Sequence, residues 1–188
     1  LQALEQMNAD PDSPFFGALD LTRVVLAGHS RGGGASLVNV TSGQVDPQAV
    51  LDLQGVDLTA YGFGAPAIEV PTLGGTAGAD VDLHHPWVDA AQELLEGPHA
   101  WVTIPGATHA WTADAIPLEP DDDPGLRQRD QHQITQLFTT AFVAAHAGVA
   151  ADEGGPPFEP DAGALELVTS HRGARQVDEH IREGGAIV

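Results

Sequence analysis

The sequence contains no cysteine, no lysine and no long hydrophobic run. The lack of cysteine excludes disulfide bonds and thiolate metal sites. No apolar stretch approaches the roughly 20 residues that a membrane-spanning helix needs, so we expect no membrane span. Only seven arginines face 27 acidic residues, which gives a formal net charge of -20. Such a surface repels phosphate backbones, so we expect no nucleic-acid partner.

The 188 residues contain several strand and helix patterns in alternation. Strands are predicted at residues 23–27, 49–53, 70–73 and 101–104, and helices at 1–7, 31–43, 86–96, 128–147 and, as a short one, 176–182. This alternation predicts an α/β fold with a mostly parallel sheet flanked by helices. Residues 1–148 form the predicted domain. Residues 150–163 are rich in glycine, proline and glutamate. We therefore expect residues 149–188 to form either a linker and tail or the start of a further domain.

The best-marked stretch is Gly28-His29-Ser30-Arg31-Gly32, between an apolar strand and a helix of small residues. A strand, a G-x-S-x-G turn and a helix are together typical of a nucleophile elbow, which pushes the serine hydroxyl outward. Because the turn is tight, we expect residues with a bulky Cβ substituent to be excluded at Gly28 and Gly32. The alternative is an ordinary glycine-rich turn between a strand and a helix.

A serine becomes a useful nucleophile when a histidine takes its proton and a carboxylate orients that histidine. Both residue types follow later strands. Asp80 and Asp82 come after the third predicted strand, and His109 comes after the fourth. The alternative is that they are ordinary loop and surface residues of an acidic protein.

The stretch from about Leu19 to His146 resembles the C-terminal half of an α/β-hydrolase. It is most similar to cap-poor esterases, namely cutinase-like polyester hydrolases and the relatives of dienelactone hydrolase and chlorophyllase. The matching pieces, in order, are residues 28–33, 70–73, 78–82 with Pro86, and 106–109.

This resemblance implies a catalytic role for three residues. Ser30 is the nucleophile, His109 the general base, and Asp82 the orienting acid. Asp82 is preferred to Asp80 because the relatives place the acid four residues before a proline. The backbone N–H of Arg31 then donates to the oxyanion, and no cofactor is required.

Other candidates lie around these residues or elsewhere in the chain. We expect His29, Tyr61 and Trp111 to line the substrate pocket. For His29 the alternatives are a packing role, which we favour over the other, and a second base. For Tyr61 and Trp111 the alternative is a core or surface role. We expect no metal site, because the adjacent histidines at 84–85 point apart and the aspartates at 121–123 lack the spacing of a calcium loop.

The expected reaction is hydrolysis of a carboxylic ester through an acyl-enzyme. A serine peptidase or acyltransferase on the same fold, and a non-catalytic scaffold in a larger protein, are the alternatives. The short segment 54–69 stands where lid-bearing relatives insert a cap, so the resemblance implies an open site that accepts bulky or polymeric esters. The family and the acidic composition favour an extracellular location.

Only 29 residues precede Ser30. A complete hydrolase sheet has several strands before the elbow, which need about a hundred residues. We therefore expect the N-terminal strands to be absent, the chain to be a fragment of a longer protein, and the strand at 23–27 to lie at the sheet edge. An isolated fragment of this kind is expected to be unstable or inactive.

Overall fold

The computed structural model describes residues 1–56, 67–78, 93–113 and 125–147, together with the backbone of residues 178–183 and 186–187. The helices are α1 (Gln2–Ala9), α2 (Arg31–Thr41) and α3 (Gln128–Ala147), with a 3-10 turn at Ala110–Thr112. The strands are β1 (Val25–His29), β2 (Ala49–Leu53), β3 (Thr72–Ala77), β4 (His99–Ile104), β5 (Asp178–Glu183) and β6 (Ala186–Ile187).

The strands form one sheet in the order β1-β2-β3-β4-β5-β6. The first four strands are parallel, whereas β5 runs antiparallel to β4 and β6 antiparallel to β5. The predicted α/β arrangement, a mostly parallel sheet flanked by helices, is therefore confirmed. Within the described segments β1 lies at the end of the strand order, as predicted.

Alternate residues of β2 face opposite layers of the molecule. Val50 packs in a cluster with Leu37 of α2, whereas Leu51 packs in a second cluster with Ile134 and Phe138 of α3. A parallel strand covered on both faces is apolar at nearly every position, which explains why four of the five residues of β2 are apolar. Within the described ranges, no helix is long and apolar enough to cross a membrane.

The bounds of β2 and α3 match the sequence prediction, and β1 is shifted by two residues. β3 begins at Thr72 because Pro71 has no N–H to donate to a neighbouring strand. Most of the helix predicted at 86–96 lies outside the described residues, and Leu95 at its end bridges to Ile68 as in a strand.

The short helix predicted at 176–182 is wrong. Residues 178–183 form β5, and pairing with β4 satisfies their backbone groups in place of local helical bonds. The predicted first helix does form as α1. None of its residues is buried, and its apolar side chains Leu4 and Met7 are exposed, as are Phe15 and Phe16 of the following segment.

Candidate functional site

Ser30 has unusual backbone dihedral angles at the junction between β1 and α2. Ser30 stands between the last residue of β1 and the first residue of α2, with φ 57° and ψ -122°. This conformation lies outside the left-handed helical region that non-glycine residues occasionally adopt. Strain of this kind costs about 1–3 kcal/mol and persists only where the surroundings enforce it.

Three hydrogen bonds enforce the conformation of Ser30. Its N–H donates to the Leu53 carbonyl oxygen at 3.1 Å. Its own carbonyl oxygen accepts from the N–H groups of Val56 and Gly34, each at 3.2 Å. The serine backbone is therefore tied to the end of β2, to the loop that follows β2, and to the first turn of α2.

Gly28 makes the tight turn possible. A Cβ atom at this position would lie 2.1 Å from the Gly32 carbonyl carbon and 2.5 Å from the Gly33 nitrogen. Real Cβ contacts are never this short, so any side chain would push the start of α2 away from β1. The expectation for Gly28 is confirmed.

The same expectation is wrong for Gly32. A Cβ atom there would meet no heavy atom within 4 Å beyond its own turn of helix, so the space around it is open. Of the two glycines that define the motif, only Gly28 stands where a Cβ would clash. Gly32 supplies the backbone with which that Cβ would collide.

His109 lies beside the elbow, although its strand is not a neighbour of β1. It follows β4 in the loop of residues 105–113, which we call the β4 loop. Its imidazole ring contacts that of His29, with centroids 4.4 Å apart and planes inclined at 39°. Since His29 directly precedes Ser30, the contact brings the β4 loop to the end of β1, across the ends of β2 and β3. Carboxyl ends of parallel strands share one edge of a sheet, where sites of α/β proteins form.

The β4 loop is held by Gln131, a residue of α3 that the sequence analysis missed. Gln131 is fully buried. Its amide oxygen accepts from the Thr108 N–H at 3.0 Å, and its amide nitrogen donates to the Thr108 carbonyl oxygen at 2.8 Å and to the Thr112 hydroxyl at 3.1 Å. The signal was present in the sequence, because Gln131 stands one turn before Ile134 on the apolar stripe of α3.

Asp52 is a second residue that was missed. It stands on β2 opposite Gly28 and is buried beneath the start of α2. Burial raises the pKa of the Asp52 carboxyl to about 7, although a hydrogen bond from the Gly55 N–H opposes the shift. Its Oδ1 lies 2.2 Å from the place where a Cβ of Gly33 would stand, and 1.8 Å from that of Gly55. These two glycines leave the space that the carboxyl occupies. A lone aspartate in the apolar strand Ala-Val-Leu-Asp-Leu was the available signal.

A cavity of about 30 Å³ lies at the end of β2 on the side of α3. Its lining includes Gln54, Thr112, Thr135, Phe138 and Thr139. Gln54 has φ 56°, is buried, and has no hydrogen-bond partner for its Oε1 within the described part of the chain. One water needs roughly 10–15 Å³ of such volume, so the cavity has room for one or two waters or a methyl-sized group.

The remaining predicted residues are placed as follows. Arg31 is the first residue of α2, so its N–H is one of the four that have no partner inside the helix. Trp111 is half-buried in the β4 loop, where its backbone N–H donates to the Thr108 hydroxyl at 3.4 Å. Asp80, Asp82 and Tyr61 lie outside the described residues, as do the histidines at 84–85 and the aspartates at 121–123. Within the described ranges, no three His, Asp or Glu side chains converge as in a metal site.

The structure thus brings two of the three predicted catalytic residues, Ser30 and His109, to one edge of the sheet. A scan against models of known protein families finds no match to this chain, and a search of curated proteins finds none either.

Proposed function

We propose that the protein is a serine hydrolase of the α/β-hydrolase type that cleaves carboxylic esters through an acyl-enzyme. The observation that carries the proposal is the strained backbone of Ser30, held at a strand–turn–helix junction where Gly28 permits no side chain. Backbone strain at a residue with a nucleophilic side chain is typical of a catalytic turn.

The reaction proceeds in two halves. The His109 imidazole takes the proton of the Ser30 hydroxyl while the serine oxygen forms a bond to the ester carbonyl carbon. The bond to the alkoxy oxygen then breaks, and the leaving alcohol receives the proton from His109. In the second half water gives a proton to His109 while its oxygen bonds to the acyl carbon. The bond between the acyl carbon and Ser30 Oγ then breaks, and His109 returns the proton to Oγ, which releases the carboxylic acid and restores Ser30.

Two further groups complete the proposed machinery. The Arg31 N–H at the start of α2 stabilises the negative charge on the carbonyl oxygen in the transition state, because this N–H lies at the positive end of the helix dipole. Asp82 orients His109, and Asp80 is the alternative acid. Tyr61 and Trp111 line the substrate pocket. The proposed site is open, and its substrates include bulky or polymeric esters.

Labelling with a fluorophosphonate tests the nucleophile in the full-length protein. We expect modification at Ser30, and we expect Ser30→Ala to lower ester turnover by about 10³-fold or more. Ser42→Ala is the matched control, because Ser42 is an exposed serine at the other end of α2. Absence of labelling, with unchanged folding, would reject the enzyme and favour the non-catalytic scaffold. Hydrolysis of peptides in preference to esters would favour the peptidase.

A pair of aspartate variants tests the acid. We expect Asp82→Asn to lower kcat by about 10²- to 10⁴-fold, because His109 then loses the carboxylate that fixes its tautomer. Asp80→Asn is the matched control and is expected to stay near wild type. The reverse order would assign the role to Asp80.

A further inference from the structure

The strongest unassigned feature of the described chain is the attachment of the β4 loop to α3. Three side chains from the first two turns of α3 hold the loop by its backbone. Gln131 binds both backbone groups of Thr108, His132 Nε2 lies 2.6 Å from the Trp111 carbonyl oxygen, and the Gln128 amide donates to the Ala113 carbonyl oxygen at 3.2 Å. The loop is thus tied to the helix on both sides of His109.

Gln131 has the central place in this attachment. Its side-chain amide bonds to both the backbone N–H and the backbone C=O of Thr108, as a residue of a neighbouring strand would. This two-point contact fixes the orientation of Thr108 as well as its position, and a third bond to Thr112 fixes the orientation of the amide itself. Both Gln131 and Thr108 are fully buried, so water does not compete for these bonds.

His109 follows Thr108 directly and caps the start of the 3-10 turn Ala110–Thr112. Its side-chain direction is therefore set by two residues that Gln131 holds. We propose that Gln131 is a positioning residue, which keeps the His109 imidazole where it exchanges a proton with Ser30 and with the leaving alcohol. This inference rests on the proposed function and adds to it a residue that does not touch the substrate.

The test separates proton transfer from folding by using two esters of the same acid. A p-nitrophenolate leaves as a stable anion, whereas an alkoxide must receive a proton from His109 as it leaves. A misplaced imidazole therefore slows cleavage of an ethyl ester more than cleavage of a p-nitrophenyl ester. A loss of folded protein lowers kcat/KM for both esters by the same factor.

The variant Gln131→Met keeps the length of the side chain and removes all three hydrogen bonds. We expect it to lower kcat/KM for the ethyl ester about 10- to 100-fold more than for the p-nitrophenyl ester, since general acid–base catalysis contributes about 10²- to 10⁴-fold. Gln133→Met is the matched control, because Gln133 is an exposed glutamine on the same helix. It is expected to leave the ratio of the two kcat/KM values unchanged.

A second variant and a second readout guard against misfolding. In Gln131→Glu, a protonated carboxyl accepts from the Thr108 N–H and donates to its C=O, whereas an ionised carboxyl has no proton to donate. The Thr108 N–H keeps an acceptor in both states, because a carboxyl oxygen accepts whether or not the group is protonated. We therefore expect the hydrogen-exchange protection of the Thr108 amide to be lost in Gln131→Met and to be kept in Gln131→Glu.

A folded Gln131→Met protein with the wild-type ratio of ester rates would overturn the inference. So would unchanged protection of the Thr108 amide in that variant. Failure of the proposed function appears differently, because Ser30→Ala would then leave ester turnover unchanged, and the inference would fall with it.

Discussion

The imidazole rings of His29 and His109 are in contact, with centroids 4.4 Å apart, although two strands separate β1 from β4. His29 is the neighbour of the proposed nucleophile, and His109 is the proposed base. The contact therefore joins the two halves of the proposed site through a pair of side chains. Tilted aromatic pairs of this kind contribute about 0.5–1.5 kcal/mol beyond their buried area.

The first prediction concerns His29 as a packing partner of His109. His29→Ala removes the ring against which His109 rests, so we expect kcat/KM to fall about 2- to 10-fold, the factor that corresponds to the energy of an aromatic pair. His29→Phe keeps a ring and should remain within about twofold of wild type. Steady-state kinetics with a p-nitrophenyl ester measure both. Equal losses in the two variants would contradict a packing role and make His29 a second proton-transfer group.

The second prediction compares the two glycines of the G-x-S-x-G motif. In Gly28→Ala the new methyl group meets the backbone of Gly32 and Gly33, so the elbow must open. We expect the free energy of unfolding to fall by about 1–3 kcal/mol or more, as in overpacked cores. In Gly32→Ala the methyl group has open space, and alanine favours the helix by up to about 1 kcal/mol.

Urea unfolding of the two variants measures this difference. The motif alone treats both glycines alike and predicts similar losses. The structure predicts opposite signs. Destabilisation of Gly32→Ala to the same degree as Gly28→Ala would show that the start of α2 is packed differently.

Local sequence patterns predict an element when its own residues show which of its faces are buried. β2 is apolar on both faces because helices cover both, and α3 has an apolar stripe at helical spacing, so the bounds of both were predictable. The turn at Ser30 was predictable for a similar reason, because its motif and its flanking strand and helix are contiguous in the chain. Asp82 and Tyr61, outside the described residues, stay predictions.

Contacts between distant elements were not predictable from local patterns. Gln131 can bond to the β4 loop only because α3 passes beside that loop. In the sequence of α3 alone, this glutamine is only an interruption of the apolar stripe. The same holds for β5, because the pairing with β4 decides its conformation, and for the open space around a Cβ at Gly32. Local propensity gives way where tertiary contacts satisfy the backbone.

The last prediction concerns the buried carboxyl of Asp52. Its pKa rises from 3.8 to about 7 on folding because burial disfavours the charged form. Between these two values the folded state holds a proton that the unfolded state has lost. Since the folded state binds more protons, the stability contributed by Asp52 is present at low pH and is lost as the pH rises towards the folded pKa. The total change amounts to a few kcal/mol.

Asp52→Asn removes this titration and keeps an oxygen that accepts from the Gly55 N–H. We therefore expect the unfolding free energy of wild type, relative to that of Asp52→Asn, to decrease between pH 4 and pH 8. Asp46→Asn is the matched control, since it removes the same charge from an exposed position between α2 and β2. Asp46→Asn keeps the Asp52 carboxyl, so its unfolding free energy, relative to that of Asp52→Asn, is expected to show the same decrease. A parallel pair of pH profiles for wild type and Asp52→Asn would show that the Asp52 carboxyl is as well solvated in the folded protein as in the unfolded chain.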